Sequence, residues 1–165
     1  MKWLLLLVSP VWLGACQPAL TMYPAQVLAR GELALEYDGR FEMTAAGKHV
    51  TRGPRWNGLR EFVACSERAR VLAERAEADG KRAFGTSIAG GILGVVSLGA
   101  LGAFASPDPN LRLAILGSGV AVAALATVLG GLSHRFKNYS NGAAIDAMNV
   151  YNDEIGAWGG DCAQR

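Results

Sequence analysis

Two long uncharged segments, Phe84 to Ala105 and Leu113 to Leu132, separated by the turn-forming run Ser106-Pro107-Asp108-Pro109-Asn110, constrain this chain more than anything else in it. A helix rises about 1.5 Å per residue, so each segment makes a rod of roughly 30 Å, the thickness of a bilayer's hydrocarbon core. The pattern predicts a helical hairpin long enough to cross a membrane. The other option is a buried hairpin in a water-soluble bundle. It is disfavoured because glycine is a poor helix former in water and neither segment shows a polar face.

Small residues recur at four-residue spacing in both segments. In the first, Ser87, Gly91, Gly99 and Ala103 form one row, with Val95 interrupting it, and Thr86, Gly90, Gly94 and Gly102 form a second, interrupted by Leu98. In the second segment the row is Gly119, Ala123, Thr127 and Gly131. Residues four apart share a helix face, so each row is a groove where another backbone approaches closely. One groove per helix seals the hairpin, and the extra row on the first leaves a surface for self-association. The composition fits: half the residues are hydrophobic but only 8% are aromatic, while Gly numbers 21, which suits tightly packed helices better than a large aromatic core. The net charge of +2 comes from interleaved acids and bases, so no nucleic-acid footprint is expected.

The N-terminus carries an address. Met1-Lys2 begins it with a positive charge, Trp3 to Leu13 is too short to span as a permanent helix, and Leu13-Gly14-Ala15-Cys16 closes it. This segment resembles the lipobox of bacterial lipoproteins at all four positions. The resemblance implies a diacylglyceryl thioether on Cys16, cleavage before it and acylation of the new amine, a covalent lipid being the only non-protein group expected. Two or three acyl chains suffice for stable attachment at about 0.8 kcal/mol per buried methylene. The mature chain is thus expected in the bacterial envelope, with membrane lipid as its first partner.

Charge placement complicates the insertion route. Lys81, Arg82, Arg135 and Lys137 lie at the hairpin ends nearest the termini, and the turn carries only Asp108 with Arg112 nearby. The positive-inside rule would put the termini in the cytoplasm, yet Cys16 must be exported. The conflict eases if the weakly hydrophobic, glycine-rich segments pass the translocon and insert later into the outer membrane or a complex. Gln17 agrees, since the retention signal of similar lipoproteins is Asp there. An outer-membrane position facing the periplasm is the expectation.

With Cys16 lipidated, Cys65 and Cys162 remain, an even pair in an oxidising compartment. A disulfide between them would close a loop of nearly a hundred residues and contribute up to about 4 to 5 kcal/mol through chain entropy. Free or simply buried thiols are the alternative.

The remaining pieces are small. Glu32 to Tyr37 alternates polar and apolar, Asp38-Gly39 is a two-residue turn signal, and Arg40 to Met43 alternates again, predicting a β-hairpin with Leu33, Leu35, Tyr37, Phe41 and Met43 on its apolar side. Gly47 to Thr51 offers a third strand. Asn57 is a candidate cap for a helix reaching Arg82, with Leu59, Phe62, Val63, Ala69, Leu72, Ala73 and Ala76 in one stripe and continuation into the first apolar segment. After the second segment, Lys137 to Gly142 reads as a polar break, and Ala143 to Trp158 as a helix faced by Ile145, Met148, Asn152 and Ile155. The organisation expected is a signal peptide (1–15), a lipidated N-terminus with the β-hairpin (16–56), an amphipathic helix (57–83), the apolar hairpin (84–132) and a break with a C-terminal helix (133–165). The fold class is mainly α, a two-helix apolar hairpin with flanking amphipathic helices and a small N-terminal β-hairpin.

Chemistry is sparse. His49 and His134 stand apart from any metal-spaced cluster, so no metal site is expected. His134 with Arg135 and Lys137 marks the level where an apolar segment meets headgroups. Gly117-Ser118-Gly119 lacks the flanking pattern of a nucleophile elbow, and Asp146, Asp153 and Glu154 suit a solvated helix better than a catalytic pair. Asn138, Asn141, Asn149 and Asn152 cluster either as a polar contact surface or as caps and turns, and capping or turn roles are favoured for Asn138 and Asn141. The expectation is a non-enzymatic structural or assembly lipoprotein whose hairpin associates with a second copy or an envelope partner. The alternative is a periplasmic accessory binding lipoprotein serving an envelope transporter or cell-wall enzyme.

Overall fold

The computed structural model describes residues 29, 31–100, 102, 108–155 and 162. The signal segment, Cys16, Gln17, Ala103 and Trp158 lie outside the described residues. The fold is mainly helical, with a small three-stranded antiparallel sheet and two long apolar helices.

The sheet is a meander of β1 (Leu33–Tyr37), β2 (Phe41–Ala45) and β3 (Lys48–Arg52). Pairing runs from Leu33 with Ala45 to Tyr37 with Phe41, so the first connection is the three-residue loop Asp38-Gly39-Arg40 rather than the expected two-residue turn. The second connection is the two-residue turn Ala46-Gly47, with φ of 50° and 74°, whose twist matches the strands it joins. Met43 pairs with Thr51 and Thr44 with His49, leaving Val50 as the extra residue of a β-bulge. Leu33, Met43 and Ala45 are buried, Leu35 and Phe41 pack at the margin, and Tyr37 is exposed, so the apolar side tapers toward the β1–β2 loop.

The helix expected from Asn57 is interrupted. A single turn, α1 (Leu59–Phe62), ends at Val63, and α2 (Glu67–Gly99) starts afresh with Ser66 as its cap, the Ser66 hydroxyl accepting from the Ala69 amide at 3.1 Å. From there α2 continues without a break into the apolar segment. The second long helix, α3 (Pro109–Glu154), is capped by Asp108, whose carboxylate accepts from the Asn110 amide at 2.8 Å, with Pro109 in its first turn. It also runs unbroken, so the break expected at Lys137 to Gly142 does not exist, and the expected boundaries near residues 83 and 133 fall inside helices.

The core sits where the sheet, α1, the N-terminal half of α2 and the C-terminal half of α3 meet, and together these make the head of the molecule. Trp56, Leu59, Val63, Ala69, Ala73, Ala76, Ala144, Ala147 and Tyr151 are fully buried there. The buried face of the C-terminal part of α3 therefore runs through Ala144, Ala147 and Tyr151. The larger Ile145, Met148 and Ile155 flank it instead of forming it. Alanines on the seam let two backbones come close, and the bulk is supplied from outside by Trp56 and by Phe62, which meets Tyr151 edge-on at 5.5 Å.

Candidate functional site

The two long helices are stitched at seven-residue intervals. The Ser140 hydroxyl lies 2.7 Å from the carbonyl oxygen of Ala76, and one heptad nearer the turn the Ser133 hydroxyl donates to that of Ala83 at 2.8 Å. One heptad further, Gly90 is covered by the Ala126 carbonyl, Leu129 and Gly130, where a Cβ would come within 3.3 Å of its neighbours. A repeat of seven keeps one stripe of an antiparallel pair in contact, and small residues on it bring the axes together. Near the turn Gly119 takes the place of a side chain against Ala100.

The packing residues expected from the sequence divide into two groups. Gly90 and Gly119 lie in the seam. Gly91, Gly94, Gly99 and Gly131 do not: among the described residues a Cβ on any of them would meet nothing within 4 Å. Ala123 is half-buried, and Thr127 is exposed with its hydroxyl donating back to the Ala123 carbonyl at 2.9 Å. Of the glycines in the row of Thr86, Gly90, Gly94 and Gly102 only Gly90 meets the partner helix among the described residues, and the row of Ser87, Gly91 and Gly99 faces outward.

Both helices are long and apolar enough to cross a membrane by length and composition. The most apolar stretch of α3 has none of its residues buried within the chain, and its outward side chains include Leu113 at 74% exposure and Val120 at 71%. On α2 the same holds for Ile92 and Val95. A hairpin core in water would hide such residues, and this one presents them.

Where the apolar stretch ends, cations and aromatic rings gather. Arg55 lies over the ring of Phe84, 3.6 Å from its centroid, and Arg135 bonds the Tyr139 hydroxyl through Nη2 at 3.0 Å. Asn138 meets His134 Nε2 at 3.2 Å. Arg82 is paired with Asp79 at 3.1 Å.

The head is fastened to the hairpin's base by contacts between sequence-distant residues. Cys65 and Cys162 are joined as a disulfide with Cα atoms 5.4 Å apart, across 97 positions. Beside it Ser66 donates to Glu154 at 2.6 Å, and Arg68 meets the other oxygen of that carboxylate at 3.0 Å. The Asn152 side chain accepts from the Leu33 amide at 2.8 Å and donates to the Leu33 carbonyl at 2.9 Å, substituting for a neighbouring strand on β1. Asn141 accepts from the indole N–H of Trp56 at 3.2 Å, so Asn138 and Asn141 are mid-helix contact residues and not the caps expected.

Two seam residues escaped the sequence reading. Ser140 is fully buried, its hydroxyl reaching Pro54 O at 2.8 Å as well as Ala76 O, so one proton serves two acceptors. Gly80 makes the notch that receives Pro54, and a Cβ there would run into the Pro54 carbonyl and Arg55 Cα. Their only signal was a small residue in phase with alanines of the same helix, Ala69, Ala73, Ala76 and Ala83 for Gly80 and Ala144 and Ala147 for Ser140.

Three charged groups near the sheet and the start of α2 have shifted titrations. A hydrogen bond from Arg52 holds the Glu42 carboxyl below its ordinary value, helped by the charges of Arg52 and His49 against partial desolvation. Glu67 is likewise lowered by its hydrogen bond from Arg70, whose own pKa rises in return. Among the described residues no group of His, Cys, Asp and Glu side chains could hold a metal ion. Ser118 lies within α3 and donates to the Ile115 carbonyl at 2.9 Å. The arrangement is an apolar hairpin with a polar head fastened to its base. Comparison with protein-family models, with curated proteins and with solved structures finds no match to this chain.

Proposed function

We propose that this protein is a non-enzymatic envelope lipoprotein, a structural or assembly component held by acyl chains on Cys16 and by its hairpin, which associates in the membrane with a second copy. The observation that carries the reading is the division of the hairpin's two surfaces. Gly90 and Gly119 are spent on the seam, while Gly91 and Gly99 sit outward among exposed Ile92, Val95 and Leu98 with none of the described residues upon them. Outward apolar side chains suit lipid, and outward glycines suit another backbone. An outer-membrane position facing the periplasm goes with this reading through Gln17 and the disulfide.

Alkaline carbonate extraction of membranes carrying the wild type and an exported Cys16→Ala variant tests the membrane part. The unlipidated chain should stay in the pellet, and its release would make the hairpin a soluble core. Crosslinking of Gly91→Leu/Gly99→Leu tests association. Loss of the crosslinked dimer with retained pelleting supports assembly, whereas no change favours an accessory binding lipoprotein that uses the hairpin only as an anchor.

A further inference from the structure

We propose that the cleft between the β1–β2 loop and α3 binds the phosphodiester headgroup of an anionic lipid; this rests on the membrane reading above. The cleft encloses about 460 Å³, and its chemistry comes from Tyr37, Arg40 and Phe41 on one side and His134, Lys137 and Asn138 on the other.

Its level on the hairpin follows from the strand. Leu33 is held at Asn152, and β1 runs from there to the loop at Asp38. Five strand residues cover about 16 Å, the rise of roughly eleven helical residues, which brings the loop down to the height of Asn141. The cleft continues from Asn141 to His134 and ends two residues from Leu132, the last residue of the uncharged stretch. A headgroup whose acyl chains lie along the apolar face of α3 has its phosphate at this height.

The charge fits as well. Among the described residues neither Arg40 nor Lys137 has a carboxylate partner, while Arg52, Arg68, Arg70 and Arg82 are all paired. The nearest acid on β2, Glu42, is occupied by Arg52 at 2.7 Å and faces His49 at 3.7 Å. Of the other acids nearby in the chain, Glu36 accepts from the Thr44 hydroxyl at 3.1 Å and Asp38 belongs to the same loop, and neither is in the cleft wall. Two cations, the Asn138 amide and an imidazole supply the donors that phosphate oxygens require. Tyr37 and Phe41, with ring centroids 5.1 Å apart, supply an amphipathic wall of the kind favoured at the membrane–water interface. Free phosphate shares the anion chemistry but would leave that wall and the apolar face below it unused.

The test is native mass spectrometry of the full chain in detergent with phosphatidylglycerol or phosphatidylcholine of equal chain length. Phosphatidylglycerol should be retained about thirtyfold more strongly, the size expected from two cations at a headgroup. Arg40→Gln/Lys137→Gln should bring the two lipids near parity, and Lys48→Gln, at the far end of the head, should leave the preference intact. Equal retention by the wild type, or an unchanged preference in the double variant, overturns the proposal. So does inorganic phosphate displacing the lipid where chloride at matched ionic strength does not, which would make this a free-anion site. Carbonate extraction of the same double variant separates the two levels. An integral protein without lipid preference defeats only the headgroup site, whereas an extracted unlipidated wild type defeats the membrane reading and the site with it.

Discussion

Pro54 presses its carbonyl oxygen into the notch left by Gly80, and the Ser140 hydroxyl meets the same oxygen from the opposing helix at 2.8 Å. Three chain segments thus converge on one peptide group. The notch admits no Cβ, although alanine is the better helix former. Gly80→Ala should therefore destabilise the protein by about 2 kcal/mol, the usual cost of overpacking, against the sign of helix propensity. Gly85→Ala, with nothing within 4 Å, should instead stabilise by up to about 1 kcal/mol. Thermal unfolding of both variants in the same detergent checks the contrast.

Asn152 holds the start of β1 with both ends of its amide. Asn152→Ala removes two hydrogen bonds and should free the Leu33 amide, whose hydrogen exchange should accelerate while amides in the middle of β2 remain protected. Equal acceleration throughout the sheet would mean that Asn152 supports the whole head rather than one strand edge.

The Cys65–Cys162 bridge fastens the chain beyond α3 back to the start of α2. Cys65→Ser/Cys162→Ser should lower stability by about 2 to 5 kcal/mol. Helical content should be kept, since Ser66 and Asp108 still cap the long helices. Circular dichroism with denaturant titration distinguishes this from loss of the helices themselves.

Glu42 titrates below the ordinary carboxylate range because Arg52 bonds to it. A folded-state pKa lower than the unfolded one stabilises above the unfolded value, and that contribution fades as pH falls through the folded value. The Glu42–Arg52 contribution to β2–β3 pairing should therefore be present in full at neutral pH and be lost in acid as the pH falls below the usual carboxylate range. Arg52→Gln should move the Glu42 titration upward, as carbon-13 shifts of its carboxyl would record.

The parts of this fold legible in the sequence are those written in long runs of one character. The uncharged segments define α2 and α3 through the bilayer-length stretch, and alternation defines the strands. What the sequence hid was the use of polar residues inside helices. Tyr139-Ser140-Asn141-Gly142 has the composition of a turn, yet Ser140 and Asn141 find Pro54, Ala76 and Trp56 as partners, and these tertiary hydrogen bonds override local preference. The interruption at Val63 to Cys65 was hidden for the opposite reason, because apolar periodicity continues through it while Ser66 supplies a new cap. At the candidate site, four-residue spacing identified two equivalent glycine rows on α2, and only the partner helix decides that Gly90 belongs inside and Gly91 outside.

The unbroken passage of α3 from Pro109 to Glu154 makes it a single lever. About 33 Å of it, from Ser133 onward, lies on the head side. In a bilayer, a change in hairpin tilt of about 10° to match a thicker or thinner membrane would swing its outer end by about 6 Å. With Leu33 held at Asn152 and Cys65 tied by its disulfide beyond that helix, the head is fixed to the outer end of α3 and would follow its inclination as one piece.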